Sequence, residues 1–359
     1  MERNMELLTQ EINQFINDEL LSTRGISNEV IAPEMQKQKF LDRIFLRRYR
    51  KYATTEDVRE FVGKRLDKII DDKLPIVFVP SFGGYKHWWS PTYPTTDWAE
   101  IFNIKFLLEY LAPIYNSYKE NSVSIVYESE EVILAELNNI PQDGLDEYTK
   151  TFRAILKVFQ RIIGNTPQLS LVLAREQYAE VGFTKEMLLA RIKEMMPEYY
   201  KRFDSYPEDD KRRRIEKVRT NFKLDGVKDY TKCSKEQIYE LYKWSRVFNE
   251  AFLDADFEIR GDSFFDDPST IPLLFSFGLG PGGDNWPHIG SSASSMVDFW
   301  AGMGILEKRD NGRIVPRIIS RTQYDIIKDD LIKVPVKSAL SGIDKNYEYI
   351  YVYNGTLVF

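Results

Sequence analysis

A strand, a helix and a second strand can be recognised between residues 74 and 128, and this unit constrains the fold more than any other feature. The first strand is predicted over Leu74–Pro80, a short apolar run that is rich in β-branched residues and bounded by prolines. A helix follows from Asp97, and Ser122–Glu128 has the pattern of the second strand. Wholly apolar strands are typical of sheets buried on both faces, and a helical crossover makes its two strands parallel. The sequence therefore predicts a Rossmann-like, mostly parallel sheet flanked by helices.

Further elements are predicted on both sides of this unit. Residues 1–73 carry the three- and four-residue spacing of amphipathic helices, helices are expected near 145–163 and 184–203, and strands near 169–174 and 271–277. We therefore expect an α/β protein in three parts: an N-terminal helical segment over residues 1–73, a Rossmann-like catalytic domain over 74–300 and a C-terminal β-rich extension over 301–359.

The C-terminal part has the pattern of a small α+β unit. A helix is predicted over Ser294–Met303, and a hairpin with an Asn-Gly turn at Asn311 and Gly312 follows it. A winged helix could be built from these elements and from the basic residues Lys308, Arg309, Arg313, Arg317 and Arg321. The net charge of −6 disfavours a general nucleic-acid binder, so nucleic acid is not the expected partner.

Composition excludes several other classes of protein. Hydrophobic residues make up 43% of the 359 residues and charged residues 29%, which is typical of a globular chain. Because Cys233 is the only cysteine and there are two histidines, neither an intramolecular disulfide nor a zinc site of thiolates and imidazoles can form. The first 21 residues are charged and amphipathic, unlike a signal peptide, and no apolar run is long enough to span a membrane. We expect a cytoplasmic protein without a membrane partner.

The loop that follows the first strand is the first candidate site. It contains Gly83, Gly84, Tyr85, Lys86 and His87. In open α/β sheets, ligands bind beyond the carboxyl ends of the strands. The two glycines would let backbone amides approach an anion, and the lysine would supply a positive charge. The spacing is neither that of a dinucleotide fingerprint nor that of a Walker phosphate loop. The alternative is a tight turn that carries an exposed lysine.

Asp97 and Glu100 form a second candidate site at the start of the following helix. Their three-residue spacing places both carboxylates on one face of that helix. They could act as acid and base, or they could hold the ammonium group of a substrate. The simpler interpretation is a capping box, in which Asp97 accepts amide hydrogen bonds at the helix start and Glu100 completes the pair.

The segment Gly278–Ser295 is a third candidate. It is rich in glycine, and a Ser-rich turn that contains Ser291 and Ser292 is expected to lead into a helix, which is a phosphate-binding context. His288 is the natural general acid or base, because the ordinary pKa of histidine is near neutral. The alternative is a buried histidine with a purely structural role. No G-x-S-x-G nucleophile elbow is present.

A fourth candidate is the acidic segment that begins at Asp254. Asp254 and Asp256 could chelate Mg²⁺ in a transferase, although acids between a helix and a strand are commonly solvated turn residues. Since the sequence contains no other metal-ligand pattern, we expect no obligatory cofactor.

The chain also resembles the isocyanide synthase and pyoverdine–dityrosine biosynthesis family, most clearly over residues 74–150 and more loosely over 240–300. Members have a strand, a proline-aromatic loop with a lysine, an Asp-x-x-Glu helix start, a tyrosine and a strand with an acidic end. The similar residues here are Pro80, Phe82, Lys86, Pro94, Asp97, Glu100, Tyr115 or Tyr118, Val123–Tyr127, Glu128 and Glu130, with Trp286-Pro287-His288 similar in content to a later motif. The resemblance implies a Rossmann-like catalytic domain that acts on an amino acid or a related metabolite.

The leading hypothesis is therefore a natural-product biosynthetic enzyme with a small-molecule substrate. Lys86 would bind an anion or a carbonyl, Asp97 and Glu100 would hold the amine, and His288 would move protons. Substrate-binding residues would be Gly83, Gly84, Tyr85, His87, Ser291 and Ser292. Two alternatives stay open: a regulatory or nucleic-acid-binding protein with a winged helix, and a magnesium-dependent transferase that uses Asp254 and Asp256.

Overall fold

The computed structural model describes residues 2–51, 55–129, 140–219, 234–260, 267–275 and 286–357. Along these residues the chain forms α1 (Glu2–Phe15), α2 (Gln36–Ile44), α3 (Glu56–Asp71), β1 (Ile76–Phe82), α4 (Trp98–Ser117), β2 (Val123–Ser129), α5 (Gln142–Ile163), β3 (Gln168–Leu173), α6 (Ala174–Glu180), α7 (Lys185–Ser205), α8 (Glu208–Arg219), α9 (Lys235–Arg260), β4 (Thr270–Phe275), β5 (His288–Ile289), β6 (Met303–Lys308), β7 (Ile314–Ile319), α10 (Arg321–Ile327), β8 (Leu331–Pro335) and β9 (Tyr349–Asn354).

The first five strands form one parallel sheet in the order β3-β2-β1-β4-β5. This confirms the predicted Rossmann-like α/β architecture. The strand order reverses between β1 and β4, and ligands of doubly wound sheets bind beyond the carboxyl ends of the strands at such a switch point. Strand β1 ends at Phe82 rather than Pro80, so Ser81 and Phe82 belong to the strand and the candidate loop begins at Gly83.

The two faces of this sheet differ in their surroundings. The core face carries Phe78 and Phe82 and packs against α4 and α5, as shown by the ring of Phe152, which lies 5.3 Å from that of Phe82. The second face carries the alternate residues of each strand. Towards its amino end, Val77 and Ser124 are only half-buried. The core face therefore supplies most of the apolar burial.

Helix α4 is the central element of the fold. It packs against α2, β6 and β7, and its N-terminal end follows the loop from β1. Nearly all of its residues are buried, including the polar Asn103, which donates to the carbonyl of Ser291 and accepts from the Tyr127 hydroxyl. A helix that is covered on most sides has no continuous polar face, which explains its predominantly apolar sequence.

The C-terminal strands form a second, mixed sheet in the order β7-β6-β9-β8. The predicted hairpin is confirmed as β6 and β7, with Gly312 in the left-handed region at φ +77°. The helix predicted over Ser294–Met303 is wrong, because residues 294–302 form turns and bends and Met303 begins β6. Ser294 and Ser295 donate to carbonyls of β7 instead, and such bonds compete with helix formation. A winged helix needs that helix, so the nucleic-acid alternative loses its basis.

Two hydrophobic clusters meet at the loop after β1. The larger one joins the core face, α4 and the N-terminal helices, whereas the smaller one joins α6, α7 and α9. Phe82 belongs to the larger cluster and Tyr85 to the smaller one. The candidate loop therefore lies at the junction of the two. The predicted domain boundaries stay a prediction.

Candidate functional site

Lys86 lies in the interior, with no exposed surface. Its ammonium nitrogen is 3.0 Å from Asp97 Oδ1 and 3.2 Å from each carboxylate oxygen of Glu100, and it donates to the carbonyl oxygen of Phe299 at 3.1 Å. Burying an ammonium is tolerable only where acceptors replace its water shell. The structure thus brings together three of the predicted residues, although the lysine is enclosed rather than exposed.

Asp97 and Glu100 also form the predicted capping box of α4. The amide of Ala99 donates to Asp97 Oδ1 at 2.7 Å, and the amide of Asp97 donates to Glu100 Oε2 at 2.8 Å. The same carboxylates therefore fix the helix start and bind the Lys86 ammonium. They cannot bind a substrate amine in this arrangement without releasing the lysine.

A second layer of hydrogen bonds positions Asp97. Thr92 donates to Asp97 Oδ2 at 2.9 Å, and the amide of Gly304 donates to Asp97 Oδ1 at 3.2 Å. The Tyr347 hydroxyl lies 3.0 Å from the Asp97 carbonyl, to which it donates. These contacts come from the loop before α4, from β6 and from the segment before β9, so the C-terminal sheet takes part in holding the site.

The pKa of Glu100 is strongly shifted in this cluster. Burial raises its pKa from 4.5 to about 7, and the neighbouring Asp97 carboxylate adds to that shift, whereas the Lys86 ammonium opposes it. The Tyr148 hydroxyl donates to Glu100 Oε1 at 3.0 Å. A carboxyl with a pKa near neutrality next to a lysine can exchange a proton with it, which is the property expected of a general acid or base.

The free energy of unfolding should depend on pH because Glu100 titrates. Because the pKa of Glu100 is higher in the folded state, the folded protein holds a proton between pH 4.5 and 7 that the unfolded chain has released. This contribution to the free energy of unfolding should fall as pH rises through that window, by up to about 1.4 kcal/mol per pH unit. Urea unfolding of the wild type and of Glu100→Gln at several pH values checks it. Parallel curves for the two proteins would contradict the assignment.

The local structure of the loop requires glycine at positions 83 and 84. A Cβ atom on Gly83 would lie 2.5 Å from Nε1 of Trp300, so the indole packs directly on the backbone. Gly84 has φ +71°, which favours glycine. Tyr85 is buried, and burial raises its pKa. His87 is also buried, and its amide donates to the Trp300 carbonyl at 2.9 Å. Their roles in binding a substrate stay a prediction.

His288 lies apart from the Lys86 cluster. It pairs with Leu274 in the sheet, which places its side chain on the second face, whereas Tyr148, the partner of Glu100, packs near Phe82 on the core face. Burial, followed by the charges of Arg50 and Lys51, lowers the pKa of His288 to about 4. His288 is therefore neutral at pH 7 and could accept a proton only weakly.

The serines after β5 are buried but do not begin a helix. Ser291 accepts from Asn103 through its carbonyl, and the amide of Ser292 donates to the Ser295 carbonyl at 3.4 Å. The predicted phosphate-binding helix start is therefore wrong for this segment. The glycines at 278–283 lie outside the described residues.

Asp254 and Asp256 lie within α9 rather than in a loop. Positions two apart on a helix point in different directions, and each carboxylate accepts a hydrogen bond from its own tyrosine, Tyr199 for Asp254 and Tyr178 for Asp256. The two acids thus share no face that one ion could occupy. Within the described ranges, no group of three His, Cys, Asp or Glu side chains could hold a metal ion. In the same ranges, no helix is long and apolar enough to cross a membrane.

Sequence reasoning missed several contributors to the site. The Phe299 carbonyl and Gly304 left no signal, since a backbone group carries no identity in the sequence. Tyr148 occupies the apolar face of α5, and a tyrosine at such a position usually needs a partner for its hydroxyl, so it could have been suspected.

Comparison with known proteins bears on the fold. No protein-family model matches the chain, and no curated protein is similar to it in sequence. The crystal structure of the PvcA protein from Pseudomonas aeruginosa matches with a TM-score of 0.64 at 16% sequence identity. The chain is similar in fold to PvcA. The match with PvcA covers 89% of this chain and 99% of that chain, so it concerns whole architectures. At this level of identity the likeness shows the fold, and it supports the distant resemblance that the sequence suggested.

Proposed function

We propose that this protein is an enzyme of the isocyanide synthase type that modifies an amino acid or a metabolite derived from one. The observation that carries the proposal is the buried cluster of Lys86, Asp97 and Glu100, which follows β1 beside the switch point of the sheet. The likeness in fold to PvcA supports it. The proposal uses neither a metal nor a nucleotide cofactor.

The chemistry that suits this cluster is imine formation with a carbonyl compound, such as a sugar phosphate. Glu100 takes a proton from the Lys86 ammonium, and the neutral amine then attacks the carbonyl carbon. The carbinolamine loses its hydroxyl as water when a proton is returned to that oxygen, and the C=N bond replaces the C=O bond. Asp97 keeps the lysine in place through the exchange. His288, which is neutral at pH 7, remains the proposed acid or base for the amino-acid substrate, and in this role it acts as a weak base.

Trapping the imine tests the proposal directly. The protein is incubated with each of a panel of sugar phosphates and with cyanoborohydride, and its peptides are mapped by mass spectrometry. We expect a reduced adduct on the peptide that contains Lys86, at least tenfold above any other lysine, and no such adduct in Lys86→Arg. Lys105→Arg, which changes another buried lysine, is the matched control and should keep the adduct. Modification that is confined to exposed lysines would count against the proposal.

A further inference from the structure

Four side chains form one row across the carboxyl end of the parallel sheet, on the second face. Glu128 is in register with Ser81, Ser81 with Leu274, and Leu274 with His288. Residues in register on parallel strands project to the same face, and neighbouring strands lie about 4.8 Å apart. The row therefore extends over three strand spacings, roughly 14 Å, and it crosses the switch point between β1 and β4.

The row is buried although it is mostly polar. Ser81 and Glu128 have no exposed surface, and His288 is 6% exposed. Closer to the amino end of the same face, Val77, Ser124 and Val126 are only half-buried. Serine, glutamate and histidine are less often fully buried than apolar residues, so the complete burial of Ser81 and Glu128 is not what packing alone favours. Contact with solvent therefore does not explain why these side chains are polar.

The Ser81 hydroxyl indicates that the row binds a ligand. Its oxygen is buried and has no hydrogen-bond partner among the described residues. An unsatisfied buried hydroxyl destabilises the folded state, and an alanine at this position would avoid that cost. Such a group is explained when its partner arrives from outside the chain.

An amine is the ligand that fits this part of the row. Glu128 is in register with Ser81 on the neighbouring strand, and a carboxylate beside a hydroxyl offers two kinds of acceptor to an ammonium group. We infer that Ser81 and Glu128 bind the ammonium group of an amino acid whose apolar side chain lies over Leu274, towards His288. This inference rests on the proposed function and assigns the amine a place that differs from Asp97 and Glu100.

Binding measurements on a serine-to-alanine variant test the inference. Each of the standard amino acids, in its L form where it is chiral, is titrated singly by calorimetry against the wild type and Ser81→Ala. For the apolar amino acid that binds best, the acid without the amino group is also measured, for example 3-phenylpropanoate for L-phenylalanine. We expect Ser81→Ala to raise the Kd at least tenfold, as loss of a hydrogen bond to a charged group should, and to leave the unfolding temperature equal or higher. The acid without the amino group should bind at least tenfold more weakly to the wild type.

Ser124→Ala is the matched control, because Ser124 lies on the same face of β2 at its amino end. It should bind amino acids like the wild type. Equal affinity of Ser81→Ala and wild type, or equal affinity for the acid without the amino group, would overturn the inference. If the Lys86 adduct nevertheless forms, only the position of the amine is wrong. If no amino acid binds and no adduct forms, the proposed function fails as well.

Discussion

Replacing Lys86 by methionine is expected to destabilise the protein by about 3–5 kcal/mol and to abolish formation of the imine. The change removes the ammonium that lies between Asp97 and Glu100, which leaves two carboxylates close together in the protein interior. One of them must then take up a proton or remain as a buried unpaired charge. Urea unfolding at pH 7 measures the loss.

A double-mutant cycle separates this electrostatic effect from lost packing. Glu100→Gln removes one of the two carboxylate charges, so the loss caused by Lys86→Met should be smaller in that background by about 1–3 kcal/mol. Lys105→Met is the matched control, because Lys105 is buried on α4 but donates to the carbonyls of Ser22 and Arg24. It should show no coupling to Glu100→Gln. Additive losses for Lys86 and Glu100 would show that the two side chains do not depend on each other.

Substituting Gly304 by alanine is expected to destabilise the folded protein by about 3 kcal/mol and to disrupt the Lys86 cluster through the start of α4. A Cβ atom at this position would lie 2.2 Å from the amide nitrogen of Ala99 and 2.5 Å from the carbonyl carbon of Trp98. These are backbone atoms of the first turn of α4, so relief requires β6 and the helix start to separate. The hydrogen bond from the Gly304 amide to Asp97 would be lost in the same movement.

Gly63→Ala is the comparison for Gly304→Ala. Gly63 lies within α3, and a Cβ atom there would approach Leu41 no closer than 3.6 Å, an ordinary contact. The better helix propensity of alanine should stabilise that variant by up to about 1 kcal/mol. Urea unfolding of both variants, with trapping of the Lys86 adduct as the second readout, checks the pair. A Gly304→Ala protein with wild-type stability would show that β6 does not support the start of α4.

The Lys86 loop shows what could be predicted from the sequence and what could not. The apolar run before Gly83 and the Asp-x-x-Glu pattern at Asp97 correctly predicted a buried strand, a helix start and their parallel connection. The alternative of a tight turn with an exposed lysine is wrong, because Lys86 is enclosed. The sequence could not show this enclosure, since one of the acceptors of the ammonium, the carbonyl of Phe299, lies 213 residues away in sequence.

The prediction of a helix in the segment after β5 was wrong for a related reason. Its serines and its spacing of apolar residues are compatible with a helix, and nothing nearby in the sequence opposes one. Ser294 and Ser295 instead donate to carbonyls of β7, more than twenty residues further along the chain. The prediction of a loop for Asp254 and Asp256 is likewise wrong. The tyrosines that donate hydrogen bonds to these acids of α9 belong to α6 and α7, which are distant in sequence.

Features that depend on near neighbours follow from the amino-acid sequence: the strands β1 and β2, the capping box of α4, the hairpin of β6 and β7, and hence a parallel α/β fold. The burial of Lys86 between Asp97 and Glu100, the shared face of His288 and Ser81, and the support that Gly304 gives to the site depend on the folded chain. Burial and pairing require distant segments to meet, and the sequence pattern does not show which of them do. Asp97 and Gly304, for example, are 207 residues apart and share one hydrogen bond.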